Sequence, residues 1–100
     1  MVKYTIKMLQ RASNDIDSIY NHIAEDFKEV NIAEKMVDAL EDAILSLDEM
    51  PYRGAVRRVG AFANRGYRQI FVKNFTIVYR IDEMRKMVVI VTVRYTPSSY

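Results

Sequence analysis

Apolar residues change their spacing along the chain, and each change marks a new element. In residues 3–9 (KYTIKML), Tyr4, Ile6 and Met8 alternate with Thr5 and Lys7, the period-two pattern of a strand. From Asn14 the period becomes helical: Ile16, Ile19, Tyr20, Ile23 and Phe27 recur on one side and predict a helix over residues 14–27. Asn14 with Asp17 three residues later resembles an N-cap pair. A second apolar stripe, Ala33, Met36, Val37, Leu40, Ile44 and Leu47, predicts another helix, opened by Asn31 with Glu34 and stopped before Pro51. The short break at residues 29–31 makes the two an antiparallel hairpin.

The second half reads as β. A loop, PYRGAVRRVGAFANRG, leads into YRQIFVK, then a turn at residues 73–75, then TIVYRID, a turn near residues 84–86, and MVVIVTVRY. Three sequential strands with tight connections predict an antiparallel meander. Residues 88–93 are apolar at every position but Thr92, as a central strand buried on both faces requires. The order β-α-α-β-β-β gives an α+β domain over residues 1–100, its hairpin packed on one face of a twisted, mostly antiparallel four-stranded sheet. The opposite face is expected to be open, and a site is expected there.

Composition adds limits. One hundred residues, half of them apolar, make one core and one domain. The chain has no cysteine, which removes disulfides and thiolate metal sites. Its N-terminus is too charged for a signal peptide and no run reaches the length of a membrane span, so a soluble cytoplasmic protein without membrane partners is expected. The net charge of +2 conceals an asymmetry: −6 over residues 1–50 and +8 over residues 51–100. The basic residues of the second half are mostly arginine, the better fork for phosphate or an acidic partner. The acids of the helices (Asp15, Glu25, Asp26, Glu29, Glu34, Asp38, Glu41 and Asp42) have the spacing of solvated outer faces. His22, the single histidine, falls on the polar side of its helix and makes no metal site.

Arg68, Arg80 and Arg94 stand near the ends of the last three strands. If the hairpin registers bring them to one face they form a guanidinium cluster suited to a phosphodiester; a one-residue slip breaks it. Otherwise they are sheet arginines at the edge of the core, with Asp82 as a partner. Arg57, Arg58 and Arg65 on the preceding loop, and Lys73 at the hairpin turn, extend the basic surface as candidate nucleic-acid contacts. Tyr52, Phe62 and Tyr67 offer rings for base stacking. No carboxylate cluster, catalytic histidine or Gly-rich phosphate loop is present in the basic half, so no metal or cofactor is expected. RNA cleavage here would need the RNA 2′-hydroxyl as nucleophile, arginines on the phosphate, and a phenol such as Tyr95 or Tyr100 for proton transfer.

LDEMPYRG, then GYRQIFVKNFTIVYRID, then an apolar strand ending in VRY, resembles the RelE/ParE toxin superfamily, the plasmid stabilisation proteins, over nearly the whole chain. The resemblance implies the toxin half of a bacterial type II toxin–antitoxin pair, with a cognate antitoxin that masks the basic site. It implies one of two activities: ribosome-dependent mRNA cleavage that arrests growth, with ribosome and mRNA as partners, or inhibition of DNA gyrase. A member that binds only its antitoxin is a third possibility. Matched by position, Arg68, Arg80, Arg94 and Tyr95 take the place of the family's catalytic residues. The ending Thr96-Pro97-Ser98-Ser99-Tyr100 departs from relatives that continue with a basic pair and a short helix. The endonuclease is the leading expectation.

Overall fold

A computed structural model of the chain describes residues 3–58, 60 and 65–96. Strand β1 (Thr5–Met8) is followed by helix α1 (Gln10–Asn21), a π-helical turn (His22–Asp26) and helix α2 (Val30–Ser46). A 3-10 turn (Pro51–Arg53) then leads to β2 (Ala55–Val56), β3 (Arg68–Val72), β4 (Phe75–Asp82) and β5 (Met87–Tyr95). The described strands form one sheet in the order β1-β5-β4-β3-β2, with β1 parallel to β5 and every other pair antiparallel. The α+β class, the hairpin and the meander therefore stand. The strand count is five rather than four, because two residues of the expected loop, Ala55 and Val56, pair with Gln69 and Arg68.

The helices lie on one face. Ile16, Leu40, Ile44 and Leu47 meet Ile70, Ile77, Tyr79, Val88, Ile90 and Val93 in a single core. Each of those side chains is under 9% exposed, so each contributes on the order of 1.5–3 kcal/mol by leaving water. Residues 88–93 are all buried, as expected for the central strand.

The helix starts differ from the capping patterns. α1 begins at Gln10 after the extended residue Leu9, whose carbonyl accepts the Ser13 N–H at 3.1 Å. Asn14 lies inside the helix and spends its carbonyl on the Gln10 side chain at 2.9 Å. α2 begins at Val30, one residue before Asn31, with no side-chain cap. In both cases packing of the apolar stripe outweighs a cap of about 1 kcal/mol.

Two local features decide which side chains share a face. A β-bulge separates the pairs Val78–Thr92 and Tyr79–Ile90, leaving Val91 without a partner on β4. One extra residue reverses the facing of everything after it. Beyond Ile90 strand β1 has ended, and Asp15 of α1 takes its place along β5. Its Oδ2 accepts the Val93 N–H at 3.1 Å and the Thr92 hydroxyl at 2.5 Å. Asp15 is therefore a structural acid and does not belong with the solvated ones.

Candidate functional site

Strand parity decides which of the expected residues can act together. Arg68 pairs with Tyr79, and Tyr79 is fully buried on the helix side, so Arg68 faces that side. Its guanidinium donates to the Gly54 carbonyl at 2.6 Å and lies 4.9 Å from the centre of the Tyr52 ring. Arg80 pairs with Val89 and Arg94 with Thr76, both on the far face. Arg94 reaches that face only because of the bulge: Ile90, four residues back and so of the same parity along the strand, points to the core. Counting from Thr76, Arg80 lies four residues further along β4, about 13 Å at strand rise. The structure thus brings Arg80 and Arg94 to one face and places Arg68 on the other.

Tyr95 separates from Arg94 in the same way. It pairs with Phe75, meets that ring edge-on at 5.7 Å, and is 64% exposed. With Ile19, Ile23, Phe27, Met36 and Phe75 it lines an apolar groove of about 580 Å³ between the helical hairpin and the end of the sheet. His22 borders that groove with its Nδ1 2.6 Å from Asp26 and its ring edge-on to Phe27.

The far face is not bare as expected. Thr76, Val78 and Val89 at its centre are at most 2% exposed. Across this face Arg57 donates to Gln69 Oε1 at 2.6 Å, and Thr96 bonds Thr76 through their hydroxyls at 2.6 Å. What remains is a groove of about 440 Å³ lined by Val56, Arg57, Arg58, Gln69, Phe71 and Thr76, with Thr96 at its end. None of these lining residues is acidic. Phe71 stands 64% exposed in the cross-strand row Phe71–Thr76–Arg94, so a bare ring sits beside guanidinium groups.

Phe71 is the ring that sequence reasoning misses, although alternation in RQIFVK puts it opposite Ile70 once Ile70 is known to be core. Of the rings expected to stack, Tyr52 lies under Arg68, Tyr67 is half-buried, and Phe62 lies outside the described residues, as does Tyr100. Arg65 is exposed at the turn before β3, and Lys73 is exposed at the β3–β4 turn with φ 54°. Asp82 pairs with Arg85 of its own hairpin, at 3.5 Å, and not with Arg80.

With that geometry in hand, comparison with known proteins gives a family. Residues 6–100 match the family described as the ParE toxin of type II toxin–antitoxin systems, parDE. The chain belongs to this family. Solved structures agree on the fold. A chain of the chromosomal ParDE system from P. aeruginosa is 21% identical, with 95% of this chain and 98% of that one covered, and superposes with a TM-score of 0.77. The RelBE2 toxin–antitoxin complex of Mycobacterium tuberculosis gives 20% identity, 98% and 97% coverage and 0.72. The isolated E. coli RelE toxin gives 15%, 96% and 87%, and 0.62. No functionally curated protein matches the sequence. Among the described residues of this ParE-family chain, no helix is long and apolar enough to cross a membrane.

One further polar cluster lies on the helix side. Glu83 accepts the Tyr4 hydroxyl at 2.7 Å, the Tyr52 hydroxyl and the Lys86 ammonium. The Lys86 and tyrosine hydrogen bonds hold its carboxyl down at about 2. The same carboxylate raises the Tyr4 and Tyr52 phenols by accepting hydrogen bonds from their hydroxyls. Tyr79 is raised chiefly by burial.

Proposed function

We propose that this type II toxin disables its target by binding it and cleaves no RNA, that the target is DNA gyrase, and that a cognate antitoxin neutralises it. The observation that carries this is the division of the four catalytic candidates between two faces. Arg68 is hydrogen-bonded into the 3-10 turn and Tyr95 packs on Phe75 beside the apolar groove, while Arg80 and Arg94 face the other way. General acid–base cleavage needs the proton-transfer group and the phosphate clamp within hydrogen-bond reach of one another's substrate atoms. A binding toxin needs only a surface, and two grooves of opposite character supply it. The apolar groove at Phe27, Phe75 and Tyr95 fits an apolar segment of the antitoxin, and the basic far face fits the target.

The test is direct. Purified toxin is expected to block supercoiling by DNA gyrase and to leave in vitro translation and mRNA intact, with Arg80→Ala plus Arg94→Ala abolishing the block. Cleaved mRNA with normal supercoiling would overturn it. The endonuclease keeps one observation in its favour: the exposed Phe71 ring in one groove with Arg57 and Arg58 is the arrangement that holds a single strand by stacking and charge.

A further inference from the structure

Three segments distant in the chain converge on one carboxylate. Tyr4 comes from the chain entering β1, Tyr52 from the 3-10 turn, and Lys86 from the β4–β5 connection that also carries Glu83. The contact with Tyr52 continues into the basic edge of the molecule. The Tyr52 ring lies under the Arg68 guanidinium, and that guanidinium holds the Gly54 carbonyl. Gly54 is followed immediately by β2, whose two residues pair with β3, and then by Arg57, whose N–H donates to the Tyr67 carbonyl at 2.7 Å. β2 has only two ladder pairs of its own, too few to fix its tilt unaided.

We propose that Glu83 is a positioning residue that, through Tyr52 and Arg68, sets the place of β2 and of the Arg57–Arg58 wall of the far-face groove. The chain of contacts runs from the carboxylate to the Tyr52 hydroxyl, through the ring to Arg68, and from Arg68 to Gly54. The charged groups around Glu83 are already assigned: Lys86 is bonded to it, Arg68 lies across the Tyr52 ring, and Asp82 and Arg85 pair with each other. Tyr79 ties β4 to the same turn through the Pro51 carbonyl at 2.7 Å and the Gly54 N–H at 3.1 Å, and Glu83 adds a second tie, from the β4–β5 connection through the Tyr52 hydroxyl.

This proposal rests on the far face being the target-binding surface, yet its first measurement is independent of target. Amide hydrogen exchange is followed at Gly54 and Arg57, with Val88 and Ile90 at the sheet centre as reference. Glu83→Gln and Tyr52→Phe are each expected to speed exchange at Gly54 and Arg57 about tenfold, the scale of one charge-assisted hydrogen bond, and to leave the reference amides alone. The double variant is expected to match the single ones, since both act on one contact. Effects that add in full, a uniform rise that includes Val88 and Ile90, or no rise at all would each overturn the proposal. The second measurement is gyrase inhibition, expected to weaken in Glu83→Gln. If the wild-type toxin leaves gyrase untouched, the target is wrong and the exchange data still decide the role of Glu83. If the wild type inhibits and Glu83→Gln inhibits equally well, Glu83 does not position the wall.

Discussion

The two sides of the β3–β4 hairpin use the same residue types for opposite ends. On the helix side, the seam between the Pro51–Gly54 turn and the sheet spends its polar groups on itself. Tyr79 donates its hydroxyl to the Pro51 carbonyl at 2.7 Å and accepts the Gly54 N–H at 3.1 Å, and Arg68 takes the Gly54 carbonyl. On the far side, Arg80 and Arg94 are exposed on the face that also carries the exposed Phe71. Arginine is a structural tie in one place and an outward-facing cation in the other. Strand parity and one bulged residue decide which.

Substitutions should separate the two sides, and the seam should give the larger losses of stability. Gly54→Ala comes first. A Cβ there would stand 2.5 Å from the Tyr79 hydroxyl oxygen and 2.6 Å from the Gln69 carbonyl oxygen, and neither can retreat. A cost of about 3 kcal/mol is expected, visible as a lower urea midpoint. Tyr79→Phe follows at about 2 kcal/mol, because the Gly54 N–H and the Pro51 carbonyl lose their partner in a buried place.

Acid should act on the seam next. The folded Glu83 carboxyl is held at about 2 against an ordinary 4.5. A depressed carboxyl stabilises the fold above its unfolded value, so this contribution is complete above about pH 4.5 and is lost as pH falls toward 2. Denaturant midpoints measured from pH 5 downward should fall less steeply in Glu83→Gln than in the wild type. Smallest for stability are Arg80→Ala and Arg94→Ala, expected within about 0.5 kcal/mol of wild type by thermal melting. Their effect belongs in the inhibition assay. If either melts early and still inhibits fully, the contrast between the two sides fails.

Much of the fold is legible in the sequence because periodicity reports burial. The stripe from Ala33 to Leu47 and the apolar run from Val88 to Val93 lead directly to α2 and β5. The helix starts are less legible: Asn14 and Asn31 look like caps, yet both lie inside helices whose apolar faces extend past them. The candidate site is legible in kind and not in arrangement. Charge asymmetry points to the basic half, but whether Arg68, Arg80 and Arg94 share a face depends on a bulge at Val91 that no residue type announces in an unbroken apolar run. Glu83 leaves no signal beyond its neighbour Lys86, since its tyrosine partners lie 79 and 31 residues away and meet it only after folding.

Asp15 has a consequence for the protein as a solute. Past the Met8–Ile90 pair β5 keeps β4 on one side but has no strand on the other, and an open apolar strand edge is a template on which other chains can grow fibrils. A carboxylate laid along that stretch occupies the Val93 donor and brings a negative charge to the place where an incoming strand would dock. The toxin thereby carries its own gatekeeper, fixed in the helix that follows β1, and Asp15→Ala is the variant in which concentrated solutions should first turn cloudy.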